Sequence, residues 1–144
     1  AAAQDTLGAG AAGKTLLASA TTAASQNILG IGAFIRSPGI TIDGNGTVIS
    51  TGSKPSVTIP YSGTISNWYM AASTTSDCVI DIKRSGSSIV GTGDKPTLTG
   101  QISNNAAVSG WTSSTITAGD IIQFNVDSVS AAQWVNMTLK VTIP

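Results

Sequence analysis

The chain has 144 residues, and its seven basic and seven acidic side chains leave it formally neutral. Without clustered Lys and Arg it is a poor candidate for nucleic-acid binding. It has no His and no Glu, which excludes Ser-His-Asp and Cys-His catalytic groups. Ser and Thr together number 38 and Gly 16, a composition that favours strands and tight turns over helices. The composition therefore predicts an all-β protein.

The N-terminal part differs in character from the rest. Residues 1–13 contain too little apolar bulk to pack and are predicted to be a linker. Residues 14–29 contain no Gly or Pro and carry Leu and Ala near helical spacing, and Gly30 is a helix stop signal. We predict a short helix that packs against identical helices or against the following domain, with a poorly ordered linker as the alternative. The domain boundary falls in the Gly- and Pro-containing junction, so that residues 1–33 and 34–144 are separate parts.

The chain begins without Met, which suggests the C-terminal piece of a longer protein, and the final strand suggests a true C-terminus. It has no apolar run long enough to span a membrane, so membrane insertion is not expected. Cys78 is the only cysteine, so an intrachain disulfide is impossible, and its place at the start of an apolar strand predicts a buried thiol.

Residues 34–144 have the pattern of about eight short strands separated by turns, typical of an antiparallel β-sandwich or jelly roll. In chain order, the predicted strands are residues 40–42, 47–51, 56–61, 64–73, 78–84, 122–126 and 134–143, and residues 96–105 are predicted to be a short strand or an extended loop. Asp43-Gly44-Asn45-Gly46 predicts a hairpin turn between the first two, because Asn and Gly tolerate positive φ. Residues 73–77 are predicted to be a loop.

Residues 117–141 carry the strongest strand pattern in the sequence. Ile122, Phe124 and Val126 alternate with polar residues, and so do the apolar residues from Val135 to Val141. This alternation predicts two strands, joined by a short connection, with one face buried and the other in water. The second strand is expected to lie in the centre of a sheet.

Carboxylates are the only candidates for acid–base chemistry. A glycosidase can use two Asp residues, but most of the Asp residues stand beside Gly or Ser, where Asp normally serves turns. Asp81 and Asp127 are predicted to point away from the apolar faces of their strands. The 43–46 segment resembles part of a calcium loop, yet no Glu is available to close such a loop. We therefore expect no enzyme activity, no metal and no cofactor.

The aromatic residues indicate a binding surface. Tyr69, Trp111 and Trp134 are the candidate ligand contacts, with Asn136 beside them, because sugar-binding surfaces combine an aromatic face with amide groups. Asn104 and Asn105 are further amide candidates. The alternative, which the sequence favours, buries Trp111 and Trp134 at a subunit contact or beneath a loop.

Several segments resemble a known family. Residues 7–32 are similar to the linker that precedes the distal domain of tailed-bacteriophage tail fibres; they read LGAGAAGKTLLASATTAASQNILGIG. Six further segments resemble, in the same order, the C-terminal domain of such fibres and related virion proteins. They are IDGNGTVISTG, VTIPYSGTISNWYMAAS, VIDIKR, KPTLTG, GWTSSTITAGDIIQFNVDSVS and MTLKV. The resemblance covers nearly the whole chain but includes no catalytic motif.

The resemblance implies a homotrimeric fibre tip. Residues 1–33 would belong to the fibre shaft, and the β-domain would lie on the outside of a virion and contact a polysaccharide or outer-membrane component of a bacterium. Other virion proteins would be bound through a preceding part of the parent protein. An alternative is a structural module that trimerises a fibre or decorates a capsid without a ligand. A polysaccharide depolymerase is not expected, because neither a β-helix repeat nor a convincing acid pair is visible.

Overall fold

The structure is a computed structural model, and it describes Ala24, residues 32–91 and residues 94–144. The chain divides into two compact units, Ala1–Phe34 with Pro144, and Ile35–Ile143. The helix predicted over residues 14–29 lies outside the described residues, apart from Ala24, which is helical. The assignment of residues 1–33 to a fibre shaft stays a prediction. Among the described residues, no helix is long and apolar enough to cross a membrane.

The second unit is built from antiparallel strands of one curled sheet, which confirms the predicted all-β class. The described residues form nine strands rather than about eight. They are β1 (Phe34–Arg36), β2 (Gly39–Asp43), β3 (Gly52–Thr58), β4 (Gly63–Arg84), β5 (Ser87–Ser88), β6 (Thr97–Ala107), β7 (Thr115–Ile116), β8 (Ile121–Val129) and β9 (Trp134–Ile143). The order through the sheet is β1-β9-β4-β8-β3, with β2 also paired to β9, and β5, β6 and β7 paired to β4.

Strand β4 is 22 residues long and connects the two halves of the sheet. Along one edge its first half pairs with β9 and its second half with β8, while β6 pairs along the other edge. The loop predicted at residues 73–77 is therefore wrong, because the strand continues through it. The polar residue Ser76 occupies an inward position at 3% exposure, and this interrupted the apolar alternation on which the prediction depended.

Strands β8 and β9 follow one another along the same edge of β4. Val129 is opposite Cys78, and Val135 is opposite Ala72, so the two strands lie end to end and do not pair with each other. The two strands predicted within residues 117–141 are confirmed, and so is the central place of β9 in the sheet. They form one bent path beside β4.

Where this path bends, no ladder of backbone hydrogen bonds joins β8 to β9. Side-chain hydroxyl groups form hydrogen bonds there instead. The Oγ atom of Ser76 accepts hydrogen bonds from the backbone N–H groups of Ala131 and Ala132, both at 3.2 Å. The Oγ atom of Ser130 accepts another from the backbone N–H of Asp77 at 2.9 Å. Ala132 is fully buried, so its N–H needs such a partner inside the protein. The bend is thus held by side chains from both strands.

The segment after β2 forms the predicted turn but not the predicted hairpin. Asp43 accepts a hydrogen bond from the backbone N–H of Asn45 at 2.7 Å, and Asn45 has a φ of 54°, as the turn requires. Residues 47–51 form no strand. Instead, the N–H of Ile49 donates to the carbonyl oxygen of Ala132 at 3.0 Å, so this segment packs on the bend. Strand β2 pairs with β9, and β3 pairs with β8.

The core lies beneath the inward faces of β4, β8 and β9. The alternation predicted for these strands is confirmed by the buried side chains of Trp68, Met70, Ile80, Ile82, Ile122, Phe124, Val126, Val135, Met137, Leu139 and Val141. Cys78 is fully buried among them, as predicted, and burial raises the pKa of its thiol to about 11. That thiol remains protonated near neutral pH and is a packing group rather than a nucleophile.

Candidate functional site

Four neighbouring strands, β6, β4, β9 and β2, present a polar outer surface. In one row across them, Asn105 is opposite Tyr69, which is opposite Thr138, which is opposite Gly39. A second row of residues lies two positions further along each strand. It is on the same face as the first row, because side chains alternate with period two. We call this surface the polar face, and it comprises Gly39, Thr41, Tyr69, Ala71, Ser103, Asn105, Asn136 and Thr138.

The polar face contains a shallow groove. One depression of about 250 Å³ is lined by Tyr69, Met70, Ala71, Ser103, Asn104, Asn105, Asn136 and Thr138. A second, of about 260 Å³, is lined by Ser37, Gly39, Ile40, Thr41, Asn136 and Thr138. Because Asn136 and Thr138 belong to both, the two depressions are continuous, and together they are called the polar groove. Two of the predicted contact residues, Tyr69 and Asn136, therefore line the same groove as Asn104 and Asn105.

Tyr69 is the aromatic residue of the polar groove. It lies between β6 and β9, with Asn105 and Thr138 as its cross-strand neighbours, and 41% of its surface is exposed. Its phenol hydroxyl has no hydrogen-bond partner among the described residues. Because Tyr69 belongs to a central strand, its backbone position is fixed, and its ring offers apolar surface beside polar groups.

Asn136 has a defined orientation. The hydroxyl of Thr41 on β2 donates a hydrogen bond to its Oδ1 atom at 2.5 Å. The carbonyl side of the amide is therefore occupied, and the two N–H donors on Nδ2 have no partner in the described part of the chain. The side chain of Asn105 makes no such contact with these residues either. The polar groove thus contains hydrogen-bonding groups that the described protein does not satisfy.

Trp134 lies at one end of the polar face, outside the groove. It occupies the same outward register as Asn136, opposite Asp43, and is 40% exposed. Its backbone N–H donates to the Oγ atom of Ser73 at 3.4 Å, so the bend between β8 and β9 sets its position. Tyr69 is opposite Thr138, four residues along β9 from Trp134, so the backbone positions of the two aromatic residues are roughly 14 Å apart.

Trp111 lies apart from the residues of the polar groove. It is half-buried against the hydrophobic core, and its indole Nε1–H donates to the backbone carbonyl oxygen of Asp94 at 3.1 Å. The sequence does not reveal this contact, because the two residues belong to different loops. A ligand-binding role for Trp111 stays a prediction, while packing accounts for its present contacts.

We expect Trp111→Phe to lower the free energy of unfolding by about 1 kcal/mol, because it removes the hydrogen bond to Asp94 and retains an aromatic ring. Trp134→Phe is the matched control: its indole N–H has no partner among the described residues, so we expect a change within about 0.5 kcal/mol. Urea denaturation followed by circular dichroism measures both. Equal stability of the two variants would contradict a structural role for the Trp111 hydrogen bond.

The two carboxylates that pointed away from the core both have structural partners. Asp81 alternates with the core residues Ile80 and Ile82, yet it is only 5% exposed, because the segment around β5 covers it. The hydroxyl of Ser88 donates to its Oδ1 atom at 2.6 Å. Asp127 forms an ion pair with Lys95 at 2.6 Å. Both carboxylates are therefore engaged in structural contacts within the second half of the sheet.

The pKa of Asp127 reflects two opposing influences. Partial burial raises it, but hydrogen bonds from Lys95 and Asn125, together with the positive charges of Lys95 and Lys83, outweigh burial and lower the pKa overall. A carboxyl with a lowered pKa is ionised near neutral pH and unsuited to act as a general acid there. Among the described residues, no group of three or more His, Cys, Asp or Glu side chains is placed to hold a metal ion. The absence of catalysis stays a prediction.

Sequence reasoning missed several groove residues. Thr41, Ser103 and Thr138 are small polar residues of a kind that is abundant throughout this chain. Their alternation predicts which face they occupy, but not which strands lie beside them. Only the pairing of β6 with β4 and of β2 with β9 brings them together.

Comparison with known proteins identifies no family. No family model matches the chain, and no curated protein matches its sequence. A chain from the solved "Structure of infectious bursal disease virus Gx strain" is similar over 77% of this chain and 30% of its own length, with 15% sequence identity and a TM-score of 0.33. A likeness this weak carries no argument about function. The resemblance to phage tail fibres therefore stays a prediction from the sequence motifs.

Proposed function

We propose that the β-domain is the non-enzymatic host-attachment tip of a bacteriophage fibre, and that the polar groove contacts a glycan or protein on the bacterial surface. The observation that carries this proposal is the exposed ring of Tyr69 beside the Asn105 amide and the Asn136 Nδ2 donors, which make no hydrogen bond to any described residue. Aromatic surface next to convergent polar groups is typical of binding sites. The motifs shared with tail fibres support a place on the virion.

The three predicted contacts on the polar face have different roles in this proposal. Tyr69 supplies stacking surface within the groove, and Asn136 donates hydrogen bonds through Nδ2. Trp134 supplies a second aromatic contact at the end of the face, reached by a long ligand or by a flat protein surface. The fourth candidate, Trp111, contributes indirectly by holding the loop that contains Asp94.

The fibre interpretation also includes assembly. The domain would be part of a homotrimer on the outside of the virion, attached to other virion proteins through a preceding part of the parent protein. Trimerisation raises the effective affinity of a weak site, because three grooves can engage one cell surface. Sedimentation of the full chain tests this directly, and a clean monomer would count against the fibre interpretation.

Binding of the fluorescently tagged full chain to whole bacterial cells tests the attachment function. We expect Tyr69→Ala to weaken binding by about tenfold, because it removes the aromatic surface of the groove. Trp134→Ala is expected to weaken it less, since Trp134 lies outside the groove. Thr58→Ala is the matched control: Thr58 is exposed on β3, away from the groove, and its truncation should leave binding unchanged.

Folded Tyr69→Ala protein that binds cells as well as the unchanged chain would exclude the polar groove as the attachment site. Circular dichroism and thermal unfolding establish that the variant is folded before binding is measured. Binding is measured on a panel of bacterial strains.

A structural module is the second candidate function, and a specific observation favours it. Ile35, Val48, Ile102 and Ile121 each expose about half of their surface. A neighbouring subunit that covered these side chains would remove their apolar surface from water. On this proposal the domain trimerises a fibre or decorates a capsid without a ligand. Trimeric protein that binds no cells, while the parent protein does, would support it.

A further inference from the structure

The chemical character of the polar groove restricts the class of ligand it accepts. None of the residues that line its two depressions carries a charged side chain. Recognition of carboxylate, sulfate or phosphate groups normally uses Arg or Lys in direct contact. Lys140 lies on the outward register two residues beyond Thr138, and Arg36 precedes Ser37, so both cations flank the groove without lining it. The lining therefore suits a neutral ligand.

The hydrogen-bonding groups of the polar groove match hydroxyl groups. Asn136 presents its Nδ2 donors because Thr41 occupies its Oδ1 atom. The amide of Asn105 offers both a donor and an acceptor, and the hydroxyls of Ser103 and Thr138 do the same. A sugar hydroxyl also donates and accepts at once, so pairs of adjacent hydroxyls complement such a lining. A purely apolar ligand would leave these groups without partners.

The extent of the polar groove indicates more than one sugar ring. It crosses β6, β4, β9 and β2, which is three interstrand spacings or roughly 14 Å. The ring of Tyr69 lies over the β4 side, whereas Thr41 and Asn136 lie over the β9 and β2 side. The groove thus divides into a stacking subsite and a hydrogen-bonding subsite, joined at Thr138.

We infer that the polar groove binds a neutral oligosaccharide, with one sugar ring stacked on Tyr69 and the next held by the Nδ2 atom of Asn136. This inference rests on the proposed attachment function and specifies its ligand class. Binding is driven by stacking and by hydrogen bonds to hydroxyls. Long-range charge attraction contributes little, so affinity is nearly independent of salt.

The test uses the full chain, displayed on beads, against an array of neutral, uronate-containing, sulfated and phosphorylated oligosaccharides of two to six sugars. We expect the beads to retain the neutral oligosaccharides. These should bind the Asn136→Asp variant at least about fivefold more weakly, since this change replaces the Nδ2 donors by an acceptor oxygen. Asn136→Asp keeps an acceptor for the Thr41 hydroxyl, so the fold is maintained. Lys140→Gln and Arg36→Gln are the matched controls, and neither should alter binding.

The outcomes separate this inference from the attachment function. If neutral oligosaccharides inhibit cell binding and Asn136→Asp weakens it, both the neutral ligand and the attachment function are supported. Cell binding that depends on Tyr69 but is inhibited only by acidic oligosaccharides, or is lost in Lys140→Gln, overturns the neutral ligand and leaves attachment standing. Cell binding abolished by protease treatment of the bacteria likewise overturns it. Retention of neutral oligosaccharides without cell binding overturns attachment instead.

Discussion

Phe124→Ala is expected to lower the free energy of unfolding by about 3–5 kcal/mol, the largest effect of any single change considered for this chain. Phe124 is 1% exposed and is the largest fully buried side chain in the described protein. It lies in the middle of β8, opposite Ile82 on β4. Removing its ring leaves a cavity that the sheet cannot easily close, because β8 is held in place by strand pairing with β4 on one edge and β3 on the other.

Phe124→Leu is the control, since it retains most of the apolar volume and should cost less than about 1.5 kcal/mol. Urea denaturation of both variants under the same conditions gives the comparison. An alanine variant within about 1 kcal/mol of the unchanged chain would contradict the central position of Phe124 in the core.

The second large effect is expected at the bend between the two halves of the sheet. Ser76→Ala should lower the free energy of unfolding by about 2–3 kcal/mol, because it removes the acceptor for the N–H groups of Ala131 and Ala132. Ser76 is itself buried, so water cannot easily replace its hydroxyl. The apolar replacement gains too little from burial to offset two unsatisfied donors.

Ser128→Ala is the matched control for the bend. Ser128 is an exposed residue of β8 opposite Val79, and its hydroxyl has no partner among the described residues. We expect a change within about 0.5 kcal/mol. Amide hydrogen exchange gives a local readout: in Ser76→Ala the amides of Ala131 and Ala132 should exchange faster than those of neighbouring β8. Unchanged exchange at both would exclude the proposed role of Ser76.

The bend also links stability to the candidate site. Ser73, on the β4 side of the bend, accepts hydrogen bonds from the N–H groups of Gln133 and Trp134 at 2.8 and 3.4 Å. The position of the Trp134 ring therefore depends on the same hydroxyl-mediated contacts that join β8 to β9. A change that loosens the bend is expected to affect the outer end of the polar face before it affects Tyr69.

Local pattern was sufficient to predict much of the second unit. The alternation in β8 and β9 identified the buried residues from Ile122 to Val126 and from Val135 to Val141. The Asp43-Gly44-Asn45-Gly46 turn was predicted from the tolerance of Asn and Gly for positive φ. Both properties depend on neighbouring residues alone, since side-chain alternation and backbone sterics act over a few positions.

Long-range contacts decided the rest. Ser76 was predicted to lie in a loop because a polar residue interrupted the apolar pattern, yet hydrogen bonds from the connection between β8 and β9 allow it to be buried in β4. Asp81 occupies an outward position, but the β5 segment covers it and Ser88 satisfies it. Neither partner is identifiable from residues adjacent in sequence.

The candidate site shows the same division. The sequence by itself indicated that Asn136 alternates with apolar neighbours and faces outward, and it put Tyr69 on the strand face opposite Trp68 without deciding which of the two is buried. Only the tertiary structure decided that they lie in one groove with Asn105, and that Trp111 packs elsewhere through Asp94. Strand period determines the face on which a side chain lies, whereas strand pairing determines its neighbours, and pairing depends on contacts between residues far apart in the chain.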